Sequence, residues 1–366
     1  MRASLRRLWL RLHRWIALSL GWLLLLSGLT GAILIVTRPL DKVFHPELFV
    51  ARSGAVVADT SLEPLRERVA AEFGAEASFT FRPPREAGET LQIIVRGPWS
   101  GTLYLDPATS QEQGRRGETE GFLGTLFKLH STLLVQDTGK IILAWAALAY
   151  LFMLVTGLIL WWPKNWPPSL KIALDRGSLR AFFDLHRTGG AALGLVVAVS
   201  VASGAYMAWR PLGEFVSALA GQAAVKPPAL PKNVEKVARP PLDALVATAR
   251  ERFAGAPVGY VQVPAKPNRP VRVRLRLADD PHPNGLTSVW LDPRNGQVLA
   301  VNRWNALDPG AAAVAWVYPL HTGELGGPLH EALNFMAGLT LATLGVTGLW
   351  LWWKRREPAH LHRHPR

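Results

Sequence analysis

Val155-Thr156-Gly157-Leu158-Ile159-Leu160-Trp161-Trp162 returns later in the chain as Val346-Thr347-Gly348-Leu349-Trp350-Leu351-Trp352-Trp353. Each copy closes a long apolar run, and a Lys (Lys164, Lys354) follows within two residues. At the same offset, Leu129-His130 matches Leu320-His321. A second set of matches precedes each of these. Leu12-His13-Arg14 recurs as Leu185-His186-Arg187, Gly21 as Gly194, Ser27 as Ser200, and Gly31-Ala32 as Gly204-Ala205. Two helix pairs are therefore repeated in the same orientation, which implies a pseudo-twofold axis along a membrane normal.

The membrane enters through length and composition. Crossing a bilayer takes about 20 helical residues. Trp15–Val36, Ile141–Trp162, Gly189–Trp209 and Leu333–Trp353 are apolar runs of that length, and none contains Asp, Glu, Lys, Arg or His. The first has a core longer than the ~7–15 residues of a signal-peptide h-region and reads as an uncleaved anchor. Of the 366 residues, 49% are apolar and 19% charged, and 15 are Trp. That balance excludes disorder. The net charge of +14 is concentrated beside the apolar runs, a membrane pattern and not a nucleic-acid one. Because the chain has no Cys, disulfides, thiolate metal sites, iron–sulfur clusters and covalent haem attachment are excluded.

Lys and Arg beside the spans set the expected direction. The N-terminus carries Arg2, Arg6, Arg7, Arg11 and Arg14. The segment between spans two and three holds Lys164, Lys171, Arg176, Arg180 and Arg187, and the tail begins Lys354-Arg355-Arg356. The expected order is a cytoplasmic N-terminus with the first span (1–37), an external segment (38–140), span two (141–162) and a cytoplasmic loop (163–188). Span three (189–209), a second external segment (210–332), span four (333–353) and a cytoplasmic basic tail (354–366) follow.

The external segments repeat as well. Leu62–Gly74 and Leu242–Gly255 have helical apolar spacing. Each leads to strand-like alternation, Leu91–Val95 and Val271–Leu277, then to a strand and turn, T-L-Y-L-D-P-A-T-S-Q at 102–111 and S-V-W-L-D-P-R-N-G-Q at 288–297. Asp-Pro followed by turn residues is hairpin chemistry. Each segment reads as a small α+β module of one helix against an antiparallel sheet, and K-P-P-A-L-P-K at 226–232 reads as a stiff linker opening the second.

L-H-R before spans one and three, L-H-[ST] ahead of spans two and four, V-T-G-L-x-L-W-W, and two strand-L-D-P-turn modules resemble the PepSY-associated transmembrane family over nearly the whole chain. The resemblance implies a four-helix all-α transmembrane bundle with an internal pseudo-twofold repeat, plus two extracytoplasmic PepSY-like α+β modules. The family includes bacterial inner-membrane ferric-siderophore reductases with two b-type haems, alongside members of unknown activity. Iron, siderophore, electron transport and the inner membrane are thus what the resemblance implies for this chain.

Four of the ten His occupy repeat-related positions at span boundaries: His13 and His186 on the expected cytoplasmic face, His130 and His321 on the external one. Two pairs are what two bis-histidine haems would require, and neutral imidazole is a standard axial ligand. Interfacial His also anchors helix ends, which is the bland alternative for any one of them. His130 is expected on a short interfacial helix (Phe122–Leu133) and His321 in a turn, with His330 as its competitor. His45 and His282, beside Pro, read as solvated, and His360, His362 and His364 as a basic tail.

Other marked residues carry two readings each. Gly21, Gly28, Gly31, Gly157, Gly194, Gly204 and Gly348 leave room either for porphyrin faces or for close helix packing. Arg14 and Arg187 suit either haem propionates or charge retention on the inner side. Arg38, Arg210 and Lys140, near the outer face, suit an anionic substrate or snorkelling to lipid phosphate. Asp106 and Asp292 read as turn residues, and no catalytic acid or base is assigned.

There is no G-x-G-x-x-G after a strand, no H-E-x-x-H and no G-x-S-x-G. A reductant must then come from a separate cytoplasmic reductase or from membrane quinol. Electrons would pass from the inner pair to the outer pair, then to a ferric siderophore outside. Two rivals are a non-redox membrane protein that binds or inhibits a peptidase, and an iron-uptake transporter component. No span carries an internal ionisable residue, which argues against transport; an inhibitor has no need of paired His at both faces.

Overall fold

The computed structural model describes residues 3–54, 60–74, 76–163, 165–231, 239–266 and 268–356. Lys164, Lys232, His360, His362 and His364 lie outside the described residues. In chain order the elements are α1 (Ala3–Phe44), α2 (Pro46–Phe49), α3 (Glu63–Phe73), β1 (Ser78–Arg82), β2 (Leu91–Arg96), β3 (Gly101–Leu105) and β4 (Glu112–Gly117). Helices α4 (Gly121–Thr132), α5 (Gln136–Trp161), α6 (Ser178–Ala208), α7 (Arg210–Leu219) and α8 (Leu242–Glu251) follow. The chain continues through β5 (Val258–Val263), β6 (Val271–Leu275), β7 (Thr287–Leu291), β8 (Val298–Asn302), α9 (Pro309–Thr322) and α10 (Gly327–Lys354). Two units emerge: Met1–Val36, Leu126–Trp209 and Leu320–Arg366 form one, Thr37–Thr125 and Arg210–Pro319 the other.

In the first unit α1, α5, α6 and α10 are long and apolar enough to cross a membrane. Each helix overruns its apolar core into polar flanks, because a helix satisfies its backbone polar groups internally on either side of the lipid boundary. Helix α6 packs on both α5 and α10. Helices α1 and α10 meet where a Cβ on Gly28 would lie 2.7 Å from the Gly338 carbonyl oxygen, and one on Gly338 equally close to that of Gly28. Small residues permit such backbone contact in lipid, where apolar burial gives no driving force. Leu24, Tyr150, Val197, Ala337 and Leu341 pack at the bundle centre.

Helix α4 is the expected interfacial helix, and it ends two residues beyond His130. Leu133 and Leu134 then take positive φ angles of 50° and 63°, which reverses the chain into α5. His321 departs from expectation: it sits in the last turn of a helix, α9, as His130 does in α4. The reversal that follows it runs through Gly323 at φ 89°.

In the second unit the strands of both external segments share one sheet. Among the described residues eight strands form one antiparallel sheet in the order β4-β3-β2-β1-β5-β6-β7-β8. The two meanders join at β1 and β5, with Phe79 opposite Val263 and Phe81 opposite Val261. A lone four-stranded module would leave β1 or β5 as an open edge; joining removes both edges and leaves Phe81 and Val261 fully buried. Alternate strand residues and one face of α3 and α8 form a single core.

The two helices also cap each other. Asp243 accepts hydrogen bonds from the Leu62 and Glu63 amides (2.7 and 3.0 Å) and the Ser61 hydroxyl (2.8 Å), and Glu63 accepts from the Leu242 amide at 2.7 Å. A helix cap contributes about 0.5–2 kcal/mol. Asp243→Ala is expected to destabilise the sheet unit by about 1–2 kcal/mol and to lower its Tm by several degrees in near-UV circular dichroism. An unchanged Tm would show that the shared core alone holds the two repeats together.

Candidate functional site

The four repeat-related His come together as two pairs within the helical unit. The His13 and His186 ring centroids are 6.3 Å apart at an interplanar angle of 90°, and those of His130 and His321 are 6.2 Å apart at 28°. Each pair joins one ring from each repeat. His13 and Gly31, which lies against His130, are eighteen residues apart on α1; that spacing is five helical turns, so both pairs meet one helix face, about 27 Å apart along the axis. His186 and Gly204 repeat the spacing on α6. His321, not His330, is the partner of His130.

Every ring meets the same two-residue element, a hydroxyl residue followed by Gly. His13 Nδ1 is 2.8 Å from Thr156 Oγ1, His130 Nδ1 is 3.1 Å from Thr30 Oγ1, His186 Nδ1 is 3.0 Å from Thr347 Oγ1, and His321 Nδ1 is 3.0 Å from Ser203 Oγ. Each of these hydroxyls donates its own proton to a carbonyl three or four residues back, among them Met153, Leu26, Thr343 and Ser200. The hydroxyl oxygens therefore accept, and Nδ1–H donates. The carbonyls of Ser27 and Ser200, 3.1 Å from His130 and His321 Nδ1, are acceptors too and confirm the same tautomer. All four rings thus keep Nε2 unprotonated with its lone pair available.

The glycine beside each hydroxyl makes room for the ring. A Cβ on Gly31 or Gly204 would lie 3.0 Å from Cε1 of His130 or His321, and one on Gly157 or Gly348 would lie 3.4 or 3.3 Å from Cε1 of His13 or His186. Neighbouring residues on a helix are about 100° apart, and Nδ1 and Cε1 are adjacent ring atoms, so hydroxyl and gap serve one imidazole. The seven glycines singled out in the sequence therefore divide. Gly28 serves helix packing, while Gly21 is buried with nothing within 4 Å of the place a Cβ would take, and Gly194 meets only Leu154 at 3.9 Å.

Polar groups with no hydrogen-bond partner lie in the same bundle: Arg187 Nε and Thr188 Oγ1, next to His186, and the Tyr150 hydroxyl. Arg187 Nη2 reaches the Ser169 carbonyl at 3.3 Å and Asp184 at 3.4 Å, and Asp184 is fully buried. Arg14 is exposed. Of the residues expected near an outer substrate, Lys140 pairs with Asp137 at 2.8 Å and Arg210 with Glu214 at 3.1 Å, while Arg38 is exposed. Among the described residues no three His, Cys, Asp or Glu cluster as a metal site.

Asp106 and Asp292 behave as turn residues, accepting from the amides of Ala108 and Thr109 and of Arg294. His282 corrects the expectation of a solvated ring. It is 5% exposed, stacks on Tyr318 with centroids 4.6 Å apart, and accepts from the Asn284 amide on Nδ1. The Pro-His-Pro context suggested a loop, and a loop folded under its own sheet gives no periodic apolar signal.

A family model described as the PepSY-associated TM region matches residues 10–355. No curated protein matches the chain.

Burial, then the charges of Arg274 and Arg85, push the His282 pKa down to about 3 from 6.5. The ring stays neutral in the fold, and the unfolded chain takes up its proton below pH 6.5, so stability is lost as pH falls from 6.5 toward 3, by up to about 1.4 kcal/mol per pH unit. The Tm of the sheet unit is expected to fall between pH 7.5 and pH 5, and His282→Gln to flatten that dependence in parallel melts.

Proposed function

The chain belongs to the PepSY-associated transmembrane family, and on that footing we propose a di-haem b electron-transfer protein of the bacterial inner membrane that reduces ferric siderophores. The observation that carries this reading is the pairing of four Nδ1-donating His across the pseudo-twofold. Ring centroids 6.3 and 6.2 Å apart would leave room for one transition-metal ion between the two imidazoles of each pair. Each pair offers two protein ligands, which suits a planar macrocycle that supplies the remaining four. Gly31, Gly157, Gly204 and Gly348 let the rings approach their helices, and the unpartnered Arg187 Nε is a donor that a propionate would satisfy.

A haem held by His13 and His186, and another by His130 and His321, would supply reversible one-electron exchange between Fe(III) and Fe(II). The chain's own residues do the rest. Thr156, Thr30, Thr347 and Ser203 fix the ring tautomer and raise its basicity through the Nδ1–H bond. The apolar side chains between the pairs exclude water. Arg14 and Arg187 would hold propionates at the inner pair.

The Lys and Arg beside the spans support cytoplasmic termini, with reductant arriving from a cytoplasmic reductase or from quinol. The ferric chelate takes up one electron and no proton, and its oxygen ligands hold the less charged Fe(II) more weakly. No acid–base residue is needed.

Purified protein is expected to show a Soret band that shifts on reduction, and a pyridine haemochrome count of two haem b per chain. His186→Ala should lower the count to about one. Thr347→Val, which keeps the ligand but removes its acceptor, should weaken haem retention about tenfold. A colourless preparation from haem-replete cells would reject the reading.

Dithionite-reduced protein should be reoxidised by ferric siderophores with Fe(II) trapped by ferrozine, and His321→Ala should lose this reaction while keeping its inner haem. Indifference to ferric chelates with rapid reoxidation by quinone would instead assign a quinone-linked carrier.

A further inference from the structure

Strand β6 sends Val271, Val273 and Leu275 into the sheet core and Arg272 and Arg274 to the opposite face. Sheltering a guanidinium from water without a counter-ion is costly, and among the described residues neither Arg forms an ion pair. Their partners are neutral. Arg272 Nε donates to the Ser288 hydroxyl at 2.9 Å, and its guanidinium lies 4.9 Å from the Trp290 ring centroid. Arg274 donates to the Gly285 carbonyl and lies 5.4 Å from the Tyr260 ring centroid, and its Nε is buried with no hydrogen-bond partner.

Asp280 acts on Arg274 through its charge but forms no ion pair with it among the described residues. The two Asp280 oxygens are occupied by the His282 and Leu286 amides. Arg85 adds a further positive charge felt by both Arg274 and His282. Burial followed by the charge of Arg274 pushes Arg272 down to about 10, and burial lowers Arg274 as well. Each bound anion would relieve that penalty.

The repeat shows that the fold does not require these groups. In the first meander Gln92 and Ile94 stand opposite Tyr104 and Thr102, as Arg272 and Arg274 stand opposite Trp290 and Ser288 in the second. The same strand is built with one amide and one hydrocarbon. A scaffold need would have appeared in both copies.

We propose that the Arg272–Arg274 face of the sheet is a binding site for an oxyanionic ligand, and that its occupant is a ferric chelate presenting carboxylate or catecholate oxygens. The identity of the occupant rests on the proposed ferric-siderophore activity; the anion site itself does not. Guanidinium forks match carboxylate geometry, and the flanking Trp290 and Tyr260 rings give a planar ligand group an apolar wall.

The test is isothermal titration calorimetry of the full chain in a non-ionic detergent with ferric citrate as probe and a neutral ferric tris-hydroxamate as comparator. Ferric citrate should bind and the comparator should bind at least tenfold more weakly. Arg272→Gln and Arg274→Gln should each weaken citrate binding at least tenfold, and raising NaCl from 50 to 500 mM should weaken it in the unaltered protein, a readout that needs no variant. Unchanged affinity in both variants, salt-independent binding, or loss of binding in phosphatidylglycerol nanodiscs, which would assign the site to lipid phosphate, would each overturn the proposal. His321→Ala separates the two readings: citrate affinity should persist in it whatever its haem content.

Discussion

A polar group buried in the hydrocarbon layer must find its hydrogen bond inside the protein, because no water is there to supply it. The arrangement of the helical unit follows from meeting that demand at four imidazole rings. Each Nδ1–H is taken by a Thr or Ser hydroxyl whose own proton is already committed to its helix backbone. The hydroxyl must sit one residue before a Gly, so that the ring's neighbouring carbon can approach the same turn. That pair of requirements accounts for Thr30-Gly31, Thr156-Gly157, Ser203-Gly204 and Thr347-Gly348. It also explains why α4 and α9 must end where they do, since each delivers one His to the neighbouring helix.

The sheet unit answers a different constraint with the same duplication. Backbone groups at a strand edge are a template for association, and two separate modules would expose twice as many such edges. Pairing β1 with β5 halves the number and produces one core, and the reciprocal Asp243 and Glu63 caps tie the two helices to each other's entry points. Two outer strands remain, β4 and β8; β4 is Glu112-Gln113-Gly114-Arg115-Arg116-Gly117, whose charges discourage a further strand from adding.

The apolar spans, the repeat and the set of four His were legible in the sequence because length, composition and matched offsets survive without coordinates. What could not be read was long-range pairing. Nothing in Ser78–Arg82 or Val258–Val263 announces that they are neighbours, since strand register is fixed by contacts between residues 180 to 184 positions apart. His321 looked like a turn residue because the Gly-rich stretch after it was assigned to the His as well as to the reversal. His282 looked solvated for the opposite reason: burial of a loop depends on what covers it. The V-T-G repeat was visible, but its meaning needed the ring that faces it.

The duplicated architecture separates what the fold requires from what one copy is free to vary. Features present in both copies, such as the His, the hydroxyl–Gly elements, the Asp-Pro turns and the crossed caps, are explained by structural demands that act on both. Departures from symmetry need another cause. Tyr150 corresponds to Leu341, Asp184 to Arg11, and Arg272 and Arg274 to Gln92 and Ile94. Two of these departures leave a buried polar atom without a partner, at the Tyr150 hydroxyl and Arg274 Nε, and a third places Asp184 beside the unpartnered Arg187 Nε. An unsatisfied buried donor costs about 1–3 kcal/mol, and Leu341 and Ile94 avoid that cost at the positions corresponding to Tyr150 and Arg274. A twofold along the membrane normal makes the two halves equivalent and leaves the two ends of the bundle different, since each His pair takes one ring from each repeat. The asymmetric, energetically unfavourable positions are where one half of the molecule differs from the other in more than its scaffold.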